Sequence, residues 1–127
     1  MEIPANFEFR GDLAIYRPCG EFPEFRQAVE AVAEAIRHAV TQPGIRRLLV
    51  DSSGLVGFPL PTMLDRYDMG LAWAKAVGPS SIRMAVVARP ELIDPKKFGV
   101  LVAANRGVAG NVFDNEAAAL AWLELPQ

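Results

Sequence analysis

Two short runs, Leu48-Leu49-Val50 and Met84-Ala85-Val86-Val87, are apolar at every position, and each is preceded by a longer stretch with helical spacing. A strand that is apolar throughout is buried on both faces, which an antiparallel strand with one wet face does not need. Buried strands alternating with helices therefore constrain the chain to an α/β domain with a mainly parallel sheet covered on both sides. Ahead of the first run, Phe25, Val29, Val32, Ile36 and Val40 recur three or four residues apart, which predicts a helix from Glu24 to the stop at Pro43-Gly44.

Upstream, Phe7-Glu8-Phe9 alternates, Arg10-Gly11-Asp12 breaks the pattern and Leu13-Ala14-Ile15-Tyr16 resumes it, predicting a hairpin that adds one antiparallel N-terminal strand; Pro18, Gly20 and Pro23 close its second strand. Residues 55–61, LVGFPLP, carry two prolines and predict an ordered apolar loop. A helix follows from Thr62 to Val77, then a buried strand from Ile82 to Ala88. Asp94 before Pro95 has the form of a helix start, with Gly107 as its stop. Val112-Phe113 reads as a brief strand, and Asp114 or Asn115 as the cap of a last helix through Leu123. The expected order is β-β-α-β-α-β-α-β-α, in one domain over residues 1–127.

With 127 residues, 51% of them hydrophobic, such a domain can build its core without metal or disulfide support. The single Cys19 agrees, since it has no internal partner. Thirteen basic and fifteen acidic residues give a net charge of -2, with the positives scattered, so nucleic acid and anionic membranes are poor partners. No stretch approaches the ~20 apolar residues that span a bilayer. Glu2, Glu8 and the lack of an apolar run before Arg10 speak against a secretory signal, so the expected compartment is the cytoplasm. Glycine-rich phosphate loops and a Cys/His metal set are both absent from the sequence, and no cofactor is expected.

Four blocks, Leu13 to Gly20 (LAIYRPCG), Leu48 to Phe58 (LLVDSSGLVGF), Ala88 to Gly107 (ARPELIDPKKFGVLVAANRG) and Val112 to Leu123 (VFDNEAAALAWL), together resemble the small bacterial SpoIIAA-like proteins. These are grouped with the STAS domains of anti-sigma factor antagonists and, more distantly, with CRAL-TRIO lipid carriers; most have no assigned activity. The resemblance implies a SpoIIAA-like fold. Asp51-Ser52-Ser53-Gly54 spells the motif that holds the regulatory serine in phosphorylatable STAS domains, but it directly follows a strand instead of opening a helix. Matching element to element puts Pro59-Leu60-Pro61-Thr62 at that place and leaves Thr62 as the nearby hydroxyl. Asp51 to Gly54 then reads as a strand-ending turn with side-chain to backbone hydrogen bonds.

Polar residues at the carboxyl ends of parallel strands are where open α/β sheets take ligands, and here they include Asp51, Ser52, Ser53 and Glu91, with Cys19, Arg89 and Asp114 nearby. Nothing in the spacing makes Asp51 and Glu91 converge as an acid/base pair, so no catalytic residue is assigned and no enzyme is expected. Cys19 reads as a small, partly buried filler. His38, about 200° around its helix from Ile36, should face solvent.

The helix 62–77 has two apolar faces. On a wheel of ~100° per residue, Tyr67, Leu64, Leu71, Ala74 and Met63 form one stripe, which is the expected core face, and Thr62, Met69, Trp73 and Ala76 lie opposite. A tryptophan and a methionine turned away from the core are suited to contact with a partner. The expectation is a non-catalytic domain that meets a protein partner, above all a second copy as a homodimer, through Phe58, Leu60, Thr62, Arg66, Met69 and Trp73. The alternative is a small apolar ligand or lipid in a cleft between loop 55–61 and helix 62–77, in a chain short for enclosing a whole acyl tail.

Overall fold

The computed structural model describes residues 7–126; the reading of the extreme N-terminus, Glu2 included, lies outside the described residues. The elements are β1 (Phe7–Arg10), β2 (Leu13–Tyr16), β3 (Cys19–Glu21), α1 (Phe25–Thr41), β4 (Arg47–Asp51), β5 (Gly54–Val56), α2 (Met63–Val77), β6 (Arg83–Val87), α3 (Phe98–Ala104), β7 (Ala109–Phe113) and α4 (Glu116–Leu123). Five strands form one sheet in the order β1-β2-β4-β6-β7. β1 and β2 are antiparallel, and every other neighbouring pair is parallel. The fold is therefore α/β, mainly parallel, with an antiparallel N-terminal strand and four helices.

Beyond the hairpin the sheet grows in one direction, so right-handed crossovers carry α1, α2 and α3 to the same face. The strand alternation divides the core accordingly. Ala14, Leu48, Val50, Met84 and Val86 point to the face shared with α1 and α2. Leu13, Ile15, Leu49, Ala85 and Val87 point the other way, under Ala119 and Leu123 of α4 alone. This is why the strand runs are apolar at successive positions: both faces are covered.

Several local expectations need correction. The segment around Gly20 does not merely end β2: β3 pairs in parallel with β5 in a separate two-stranded sheet, Gly20 opposite Leu55. Gly54 permits this approach, since a Cβ there would stand 3.0 Å from the Pro18 carbonyl. Cys19, on that ribbon, is exposed rather than a partly buried filler. His38 is buried, at 5% exposure, with Nε2 3.6 Å from Glu34 Oε1. It lies about 60° from Ala35 around the helix, at the margin of an alanine-lined face broader than a stripe centred on Ile36. The helix expected from Asp94 begins only at Phe98. Lys97 has φ 50, a left-handed conformation that interrupts helical backbone, while Asp94 Oδ2 accepts from the backbone N–H groups of Lys96 and Phe98, both at 3.0 Å. Asn115 caps α4, accepting from the Ala118 N–H at 2.8 Å.

The larger correction concerns α2, which is rolled opposite to the expected wheel. Trp73 and Ala76 are buried, whereas Met63, Leu64 and Tyr67 are 52%, 67% and 37% exposed. The reason is Gly70: a Cβ there would stand 2.8 Å from the Gly99 carbonyl oxygen and from Val102. Only a glycine lets α3 approach so closely, and that approach fixes the inward face of α2. Apolar residues occur all around this helix, so their distribution could not decide its orientation.

Candidate functional site

The inward roll brings Met69 and Trp73 to the wall of a cleft between the three helices and the carboxyl ends of the strands. The cleft offers about 670 Å³ of space, mouth included. Its floor is Val86 and Ala88 at the end of β6 and Val112 of β7; α1 supplies Val29 and Val32, and Val100 of α3 closes the far side. The loop expected over 55–61 starts only after β5, which takes up Leu55 and Val56; it contributes Phe58, whose ring meets Phe25 edge-on at 5.6 Å between centroids. The walls are almost wholly apolar.

Four of the six residues singled out on the helix and loop border this space: Phe58, Arg66, Met69 and Trp73. Arg66 braces the mouth, donating from Nη1 to the Pro61 carbonyl at 2.8 Å and from Nη2 to the Leu92 carbonyl at 3.2 Å. Thr62 is not in the cleft wall. It caps α2, its Oγ1 accepting from the Asp65 N–H at 3.1 Å while Asp65 Oδ2 accepts from the Thr62 N–H at 2.9 Å. Leu60 is 64% exposed outside the cleft.

The strand-end polar residues divide between the cleft and a separate ionic cluster. Ser52 lines the cleft and donates its hydroxyl to the Val87 carbonyl at 2.8 Å. Asp51 Oδ1 accepts from the Ser53 N–H at 3.0 Å and from Ser53 Oγ at 2.6 Å, so Asp51 to Gly54 does form a side-chain-bonded turn. Asp51 and Glu91 engage different partners. Glu91 Oε1 stands 3.9 Å from Arg89 Nη1, whereas the Asp51 carboxyl neighbours that of Glu116 and the two perturb each other's titration. Arg17 grips Glu116 with two hydrogen bonds of 2.9 Å. That contact spans 99 positions and left no trace in the sequence pattern.

Arg17, and then Asp51, hold Glu116 down at about 2. Burial, and then the Glu116 carboxyl beside it, push Asp51 above the usual carboxylate range. Stability from Glu116 is fully present above its unfolded value of about 4.3 and is lost as pH falls toward 2. Asp51 has the opposite sign: its ionisation costs nothing below about pH 4 and is fully felt above its raised folded value. Asp51→Asn keeps an acceptor for Ser53 without that cost. The variant should be more stable than the parent by up to about 1 kcal/mol at pH 7, with the difference vanishing near pH 3 in denaturant titrations.

Among the described residues, no group of three or more His, Cys, Asp or Glu side chains could hold a metal ion, and no helix is long and apolar enough to cross a membrane. What the fold and site define is an α/β domain with an apolar cleft at its strand ends. Set against known proteins, the chain matches no family model, and no curated protein matches it.

Proposed function

We propose that this protein is a non-catalytic, cytoplasmic, STAS-like domain that takes a small, mainly apolar molecule in the cleft at its strand ends. The observation that carries the reading is the inward roll of α2. Met69 and Trp73, the residues best suited to an interface, instead wall an apolar cleft, the concave and mainly apolar kind of surface that small molecules use. Native mass spectrometry of the purified protein tests it: a retained small molecule, or saturable uptake of a compact aromatic probe, is expected. Failure to take up any such probe at millimolar concentration sinks the reading.

A second reading is contact with a protein partner, first of all a second copy. It is favoured by Met63, Leu64 and Tyr67 on the opposite face of α2 and Leu60 in the loop before it, which are between 37% and 67% exposed. The homodimer surface then moves from Met69 and Trp73 to this stripe. Sedimentation velocity at tens of micromolar should show a dimer that Leu64→Glu dissociates without unfolding the subunit; a monomeric parent protein rejects it.

A further inference from the structure

We infer, resting on the cleft as a small-molecule site, that its ligand is a compact, uncharged aromatic ring, bare or alkyl-substituted. Three aromatic side chains and a thioether stand in the lining: Phe25, Phe58, Trp73 and Met69. Phe58 is positioned by its neighbours before any guest arrives. It meets Phe25 at 5.6 Å between centroids with the planes 63° apart, and the Arg89 guanidinium lies 5.8 Å from its centroid. A guest ring can extend such an edge-to-face pair, which a saturated ring of the same shape cannot do. Met69 adds a polarizable sulfur, which also favours aromatic neighbours. Trp73 presents carbon alone to the cleft, because its Nε1 has no accessible surface.

The other polar side chains of the lining, Ser52, Arg66, Asp94 and Lys97, are already committed to the protein. Ser52 donates its hydroxyl to the Val87 carbonyl at 2.8 Å. Arg66 holds the Pro61 and Leu92 carbonyls at 2.8 and 3.2 Å. Lys97 Nζ donates to Asn111 Oδ1 at 2.7 Å and stands 5.2 Å from the centroid of Phe113. Asp94 Oδ2 accepts from two backbone amides, both at 3.0 Å. An ion entering the cleft would lose its water and would have to draw a partner away from one of these contacts. An uncharged ring sheds only the water around carbon, which is favourable. A flexible alkyl chain gains no ring contact and loses rotational freedom when it binds.

The test titrates four molecules of similar shape against the purified protein in sealed tubes, following the Met69 ε-methyl resonance: ethylbenzene, ethylcyclohexane, phenylacetate and benzylamine. Ethylbenzene should bind at least about fivefold more tightly than ethylcyclohexane, although the saturated ring is the more hydrophobic, the size expected of one favourable aromatic contact. It should also shift the Met69 methyl by its ring current. Phenylacetate and benzylamine should each bind at least about tenfold more weakly than ethylbenzene, since no group in the wall is free to replace the water around their charge. Phe58→Leu should bring ethylbenzene to the level of ethylcyclohexane without weakening the latter; Phe25→Leu serves where that variant does not fold. Equal binding of the two hydrocarbons, or an acid or amine as tight as ethylbenzene, overturns the uncharged aromatic ligand while leaving the apolar cleft intact. Binding of none of the four overturns the cleft reading and the aromatic ligand with it.

Discussion

Replacing Trp73 by alanine should lower the unfolding free energy by about 3–5 kcal/mol, the largest loss expected from any single change in this protein. The side chain is 6% exposed and belongs to the core cluster that α1 and α2 form on the sheet. Truncation would leave a cavity continuous with the cleft that Trp73 walls. The neighbours are anchored to the sheet and can collapse only partly into that space, so the cavity penalty adds to the lost transfer energy. Trp73→Phe should cost far less, because it keeps an aromatic ring and removes the unmet N–H along with the lost volume. Urea unfolding at unchanged slope measures both. A loss below about 1 kcal/mol for the alanine variant would mean that Trp73 is no part of the core.

Gly70→Val should cost about 3 kcal/mol, at the upper end for overpacking, despite the better helix propensity of valine. The new Cβ would meet the Gly99 carbonyl oxygen at 2.8 Å, and backbone cannot move aside as a side chain does. α2 and α3 would be pried apart. Gly99→Ala supplies the contrast across the same crossing. Its Cβ would run into the terminal methyl of Met69, a flexible end that can swing away, and would sit 3.3 Å from the Arg66 carbonyl. That change should stay within about 1 kcal/mol of the parent. If the two variants melt alike, the close crossing at Gly70 is not what orients α2.

The order of elements and the two-sided sheet were legible because fully apolar strand runs and helical spacing are strong local signals. Leu48 to Val50 and Met84 to Val87 could lie only in the interior, and the period of Phe25 to Val40 could suit only a helix. Orientation was not legible where apolar residues ring a helix. On α2 the position that decides is Gly70, whose role exists only in relation to Gly99, 29 residues away. His38 was misplaced for a related reason, since the small alanines of α1 widen its buried face. Of the site, the segments were found and their facing was not: Phe58, Arg66, Met69 and Trp73 do come together, but around an internal cleft. Lys97 lines the cleft from a left-handed backbone position that the helix start expected at Asp94 did not foresee.

A sheet whose strands are laid down in chain order, each beside the one before, also suits a chain that emerges from the ribosome N-terminus first. The β1–β2 hairpin needs no later residue to form, and β4, β6 and β7 each dock on an edge that is already present. No strand of this five-stranded sheet has to wait for a distant C-terminal partner or be threaded between two placed neighbours. Assembly during synthesis can therefore be vectorial, with one growing edge exposed at a time, which limits the unpaired β-surface that incomplete chains present to one another.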